Sequence, residues 1–268
     1  DLLDYLATTF VQNGWNQKEL IRTIVSSATY RQDSFASEEN RTMDPKNRLL
    51  ARGPRYRLSA ELVRDQALAV SGLLVPRIGG PSVHPYQPAG LWKEVSHFGS
   101  TPATKQVYVQ DHGEKLYRRS LYTITKRTSP HPSMTAFDAP NREMCTVQRG
   151  VTNTPLQALV TLNDTQFVEA ARVFAENLLR DEALADDTQR MERAFEQTTS
   201  RLPVRKETDL LLGLLDDERQ RLRNAPDEAT RTVRVGEWPV ADELDPVQHA
   251  AWTQIATLLF NLSETLTR

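Results

Sequence analysis

Apolar residues recur at three- and four-residue intervals through most of this chain, the period of helices with one buried face. Leu3, Leu6 and Phe10 share such a face, and Gly14 supplies a stop. Asn16 then reads as the cap of a second helix, with Glu19 three residues on and an apolar face of Leu20, Ile21, Ile24, Val25 and Ala28. So short a connection predicts an antiparallel or angled hairpin. Residues 31–46 are polar and read as loop.

Ser59 caps a third predicted helix through AELVRDQALAVSGLL, with Leu62, Val63, Ala67, Val70 and Leu74 facing inward. Glycine and proline then punctuate residues 79–90, where a long loop is expected. Val107–Val109 and Leu121–Thr125, on either side of Asp111, His112 and Gly113, suit a two-stranded ribbon. Helical periodicity returns at Pro155, capped by Asn153 or Thr154, and Asp164 caps the helix bearing Phe167, Val168, Ala171, Ala175 and Leu178. Further helices are predicted over about 188–200 and about 206–223, the latter with Leu210, Leu211, Leu214, Leu215 and Leu222 inside. A loop over 226–241 and a last helix from Asp245-Pro246, carrying Trp252, Ile255, Leu258, Leu259 and Leu262, complete the pattern. The fold class is mainly α. One helical domain over 1–268 holds a long irregular insertion at 76–153 with room for one short β-ribbon.

Composition narrows the function classes. Lys and Arg number 33 against 35 Asp and Glu, a net charge of -2, so no basic stripe invites nucleic acid. No segment approaches the roughly 20 apolar residues of a membrane span. A single cysteine, Cys145, excludes an internal disulfide, a two-cysteine haem attachment and any multi-cysteine zinc site. The chain opens at Asp1 already in helical pattern, so it reads as excised from a longer polypeptide.

Candidate chemistry concentrates between Tyr117 and Asp164. Arg118, Arg119, Lys126, Arg127, Arg142 and Arg149 surround only Asp138 and Glu143 there. Guanidinium forks suit carboxylate, phosphate or sulfate, so an anion pocket built from Arg118, Arg119, Arg127, Asp138, Arg142 and Glu143 is one reading. The other is that these charges pin their own loop by bonding Asp138, Glu143 and backbone carbonyls, which is the heavier of the two. Alternation along a ribbon sends Arg118 and Arg119 to opposite faces. Asn153 stands at a helix start, a place for an anion or simply for a cap. His84, His97, His112 and His131 lie in the irregular region but lack the spacing of a metal motif, so no metal site is assigned. Cys145, between Met144 and Val147, reads as packing in a half-buried strand. Tyr86, Trp92, Phe98, Tyr108, Tyr117 and Tyr122 suit either a sugar platform or loop anchors, and anchoring is favoured.

Longer motifs carry a resemblance. NRLLARGPRYRLSAELVRDQALAVSGLL (47–74), GGPSVHPYQPAGLW (79–92), YRRSLYTITKRT (117–128), FDAPNRE (137–143), TNTPLQALVTLND (152–164) and AWTQIATLLFNLSETLTR (251–268) occur in this order. The set resembles a planctomycete domain of unknown function, family 1553, the C-terminal domain of large multidomain proteins. The resemblance implies an exported or periplasmic setting, with cytochrome-c-like and other domains of the same polypeptide as partners. Haem c would then sit elsewhere in the full-length protein, with no cofactor in this chain. The expected role is a non-catalytic binding or assembly module. The alternative is an enzyme acting on polysaccharide or another anionic polymer.

Overall fold

The computed structural model describes residues 1–95 and 106–267. They form two compact units, Asp1–Tyr56 and Arg57–Thr267, a finer division than one helical domain. In the first unit, α1 (Leu2–Gln12) and α2 (Gln17–Ser26) form the expected hairpin. Gly14 and Trp15 take left-handed backbone at the turn, and the Trp15 ring meets Phe10 edge-on at 5.2 Å. Asn16 caps α2 by accepting the Glu19 N–H at 3.2 Å. A short helix, α3 (Glu38–Met43), occupies part of the stretch expected as loop. Ser37 caps it, and Glu38 and Glu39 favour its first turn. Neither α1 nor α2 contains a buried residue.

The second unit begins with α4 (Ala60–Val70), which stops where Gly72 adopts positive φ, four residues before its predicted end at Leu74. Two short helices follow, α5 (Leu91–Glu94) and α6 (Pro132–Ala136). The helical remainder comprises α7 (Pro155–Asn163), α8 (Thr165–Arg180), α9 (Asp187–Thr199), α10 (Arg205–Arg223), α11 (Pro226–Thr232), α12 (Pro246–Asn261) and α13 (Ser263–Leu266). The predicted starts hold: Gln157 accepts the Thr154 N–H, Asp164 the Gln166 N–H and Asp245 the Gln248 N–H, all within 3.1 Å. The helix α11 corrects part of the expected 226–241 loop. Pro226 suits a first helical position, and Asp227 and Glu228 complement the dipole behind it.

Packing centres on α8 against α12. Ala170, Ala171 and Ala175 on one helix, with Ala250, Ala251 and Ala256 on the other, are buried and small enough for close approach. Phe174 and Phe260 stack with ring centres 5.8 Å apart, and Trp252 is wholly enclosed. Each such large side chain contributes about 1.5–3 kcal/mol by leaving water. Two predicted inward positions are corrected. Leu62 and Leu210 are exposed, because each precedes a residue, Val63 or Leu211, that takes the inward direction of its turn.

The irregular insertion closes onto α4 and α8 without forming the expected ribbon. Val107 and Val109 are exposed, while Thr123 bridges Val83 in parallel and Arg118 bridges Val75. The cause is local. Asp65 of α4 accepts the Ser120 N–H at 2.6 Å, and Ser120–Tyr122 coils into a single 3-10 turn that strand geometry cannot accommodate. Among the described residues no helix is long and apolar enough to cross a membrane.

Candidate functional site

The adjacent arginines at 118 and 119 have opposite fates. Arg118 is 1% exposed, and its guanidinium donates to the carbonyls of Arg77, Gly79 and Pro81 while lying 3.8 Å over the Tyr122 ring. Arg64 of α4 is equally enclosed. It donates to the carbonyls of Leu116 and Arg118 and to the Gln166 side chain, at 2.6–2.8 Å. Burial lowers its pKa to about 10, leaving it charged at neutral pH. These two groups hold the 77–81 and 116–120 segments, so they bond backbone rather than ligand.

Arg119, by contrast, turns outward with Arg142 and Arg149 around an open hollow, where Ser59, Glu61, Leu62, Asp65 and Leu121 complete the lining. The first turns of α4 present Glu61 and Asp65, one helical turn apart, on the same side. Arg149 Nη1 meets Glu61 at 2.7 Å, and Arg119 Nε meets Asp65 at 3.4 Å. Partial burial pushes the Glu61 carboxyl up, but Arg149 and its own amide outweigh this and leave it below its ordinary range. Arg142 differs. It is exposed, its backbone is left-handed, and it makes no ion pair among the described residues. A second hollow shares Glu61 and Arg142 and reaches His131, but at about 40 Å³ it has room for water rather than for a sugar.

Of the residues assigned from sequence to an anion pocket, Arg119 and Arg142 line the open hollow, joined by Arg149 of the same basic cluster. Arg127 is exposed without an ion pair among the described residues. Asp138 accepts the Thr152 N–H and hydroxyl at 2.8 Å, closing the 138–152 segment instead of meeting an arginine fork. Glu143 lies in a local turn with Asn141, and Asn153 is exposed. Cys145, Met144 and Val147 are exposed, which corrects the half-buried strand expected there: the segment packs against nothing that would cover them.

The histidines and aromatics sort in the same way. His131 is buried, its Nε2–H donating to the Tyr86 carbonyl and its Nδ1 accepting the Ser133 hydroxyl. Burial drives its pKa down to about 4. His84 lies beside Asp111 at 3.4 Å and against Tyr108, while His112 pairs with Glu237. His97 and Phe98 fall outside the described residues. Among the described residues no trio of His, Cys, Asp or Glu is placed to hold a metal. Trp92 is buried against Tyr108, and Tyr86 and Tyr117 both donate to Glu169, so these rings anchor loops and none lines the hollow.

Three important carboxylates were not singled out from the sequence. Glu61 and Asp65 had a readable signal, an i, i+4 pair of acids on one predicted helix. Glu169 had none, because its burial depends on a distant loop: it accepts the N–H groups of Glu237 and Trp238 at 2.6 and 2.7 Å. Next to it, wholly buried Arg172 donates to the carbonyls of Val235, Trp238 and Pro239.

The family model PSD1, described as a protein of unknown function (DUF1553), matches residues 1–215. The chain belongs to this family. The DUF1553 match includes the hairpin, the whole insertion and every residue lining the hollow, and it ends within α10. The motif at 251–268 lies beyond it. No curated protein and no solved structure matches the chain.

Proposed function

We propose that this chain is a non-catalytic binding module for an anionic ligand, received in the open hollow at Arg142. One observation carries the reading: Arg142 stands exposed and without an ion pair among the described residues, beside two arginines already held by carboxylates. A guanidinium in that position offers a planar fork to carboxylate, sulfate or phosphate. Glu61 and Asp65 are engaged by Arg149, Arg119 and the Ser120 amide, so neither carboxylate stands free beside the hollow to act on a bound ligand. The setting we infer is an exported multidomain protein with a cytochrome-c-like module and haem c elsewhere in the polypeptide. It is supported by the motif resemblance.

Calorimetric titration with polygalacturonate, hyaluronate and sulfate, at low and high salt, tests the reading. Binding that weakens with salt and falls roughly tenfold in Arg142→Ala is expected. Binding indifferent to Arg142 would remove the site. Cleavage of a polymer that is lost in Glu61→Gln would replace the module with an enzyme.

A further inference from the structure

We infer that the ligand of this hollow is an acidic peptide segment with aliphatic side chains, not a polysaccharide; the inference rests on the anion-binding reading above. Two features of the lining point there. Leu62 and Leu121 are 47% and 65% exposed and stand among the three guanidinium groups. Exposed leucines next to arginines match a partner that offers apolar side chains and carboxylates in alternation. A sugar chain asks for something else, namely aromatic faces for its rings and a spread of hydroxyl partners. The aromatic residues that could have served are committed elsewhere, Trp92 to Tyr108 and Tyr86 and Tyr117 to Glu169.

Charge gives the same answer. Two carboxylates answer two of the three arginines, so the hollow carries one uncompensated positive charge, at Arg142. A densely charged polymer would meet repulsion from Glu61 and Asp65. A peptide needs only one carboxylate on Arg142, with its leucine or isoleucine neighbours laid across Leu62 and Leu121. Such a contact depends less on salt than a purely ionic one, because part of its strength comes from apolar surface leaving water.

Fluorescence anisotropy with the whole chain tests this, using fluorescein-labelled peptides of glutamate with leucine, glutamate with serine, and lysine with leucine, and polygalacturonate as competitor. The glutamate–leucine peptide should bind best. Its affinity should fall roughly tenfold in Arg142→Ala and several-fold in Leu121→Ser or Leu62→Ser. All three side chains are exposed, and circular dichroism confirms that the variants fold. If polygalacturonate binds at least as well, with dependence on Arg142 and none on the leucines, the peptide inference falls and the anion-binding reading stands. Equal binding of the glutamate–serine peptide also overturns the inference. If no anion binds in an Arg142-dependent way, both fall together.

Discussion

Arg118 and Arg119 share a peptide bond and little else. One is 1% exposed and serves three carbonyls of a neighbouring loop; the other has a side chain 47% exposed and meets a single carboxylate at the edge of an open hollow. The same contrast runs through the whole basic cluster. Inward arginines replace the regular hydrogen-bond ladder that an irregular segment lacks, giving its carbonyls donors that neighbouring strands would otherwise supply. Outward ones can leave their partners without loss of structure. Charge density along a sequence therefore says little about binding until each guanidinium has been assigned to backbone or to solvent.

The sharpest way to break the comparison is to truncate both neighbours. Arg118→Ala should destabilise the fold by about 3–5 kcal/mol, since it removes an enclosed guanidinium with its hydrogen bonds to the carbonyls of Arg77, Gly79 and Pro81 and leaves a hole beside Tyr122. Arg119→Ala should cost far less, about 1 kcal/mol, since its own side chain is half exposed and the buried Asp65 carboxylate keeps the Ser120 N–H. Urea denaturation followed by circular dichroism measures both. Equal costs would show that the two arginines are energetically alike and would remove the division between clamp and rim.

A second prediction concerns the inner set under acid. His131 has an ordinary pKa of 6.5 and a folded value near 4, because burial disfavours its charged form. The unfolded chain thus binds the proton first as pH falls. Stability from this group is complete above pH 6.5 and is lost progressively towards pH 4, by roughly 3 kcal/mol. Urea melts between pH 7.5 and 4.5 should show that decline, and His131→Asn should flatten it relative to wild type. A parallel decline in both proteins would place the acid sensitivity elsewhere. No rim residue should show an effect of this size.

How much of this was legible in the sequence depends on the range of the interactions. Helix starts at Asn16, Asp164 and Asp245 were readable because a cap acts within three residues of itself. The helices α3 and α11 were missed because polar composition outweighed equally local signals, Ser37 before two glutamates and Pro226 before two acids. The ribbon failed for a long-range reason: Asp65 reaches Ser120 across 55 positions and coils the segment that would have been a strand. The hollow was half visible. Arg119 and Arg142 were singled out, but Leu62 was assigned to the core, since periodicity cannot say which of two adjacent apolar residues turns outward, and Leu121 was placed in the ribbon that does not form. The buried Glu169 and Arg172 were invisible, because both bond backbone groups of the distant 235–239 loop, which carry no sequence signature.

The smallest effect on stability is also the most informative about the rim. Glu61 is partly exposed and holds Arg149 at 2.7 Å, so Glu61→Gln should change folding stability by within about 0.5 kcal/mol. Its effect on the hollow should be larger and of opposite sign to that of Arg142→Ala. Removing the carboxylate releases a second guanidinium and raises the local charge by one unit, which should tighten binding of the glutamate–leucine peptide several-fold and steepen its salt dependence. Paired titrations of wild type and Glu61→Gln at two ionic strengths measure this directly. A variant that binds less well than wild type would mean that Glu61 positions Arg149 for the ligand rather than withholding it. The rim would then be a preorganised pair, not a lone free arginine beside two occupied ones.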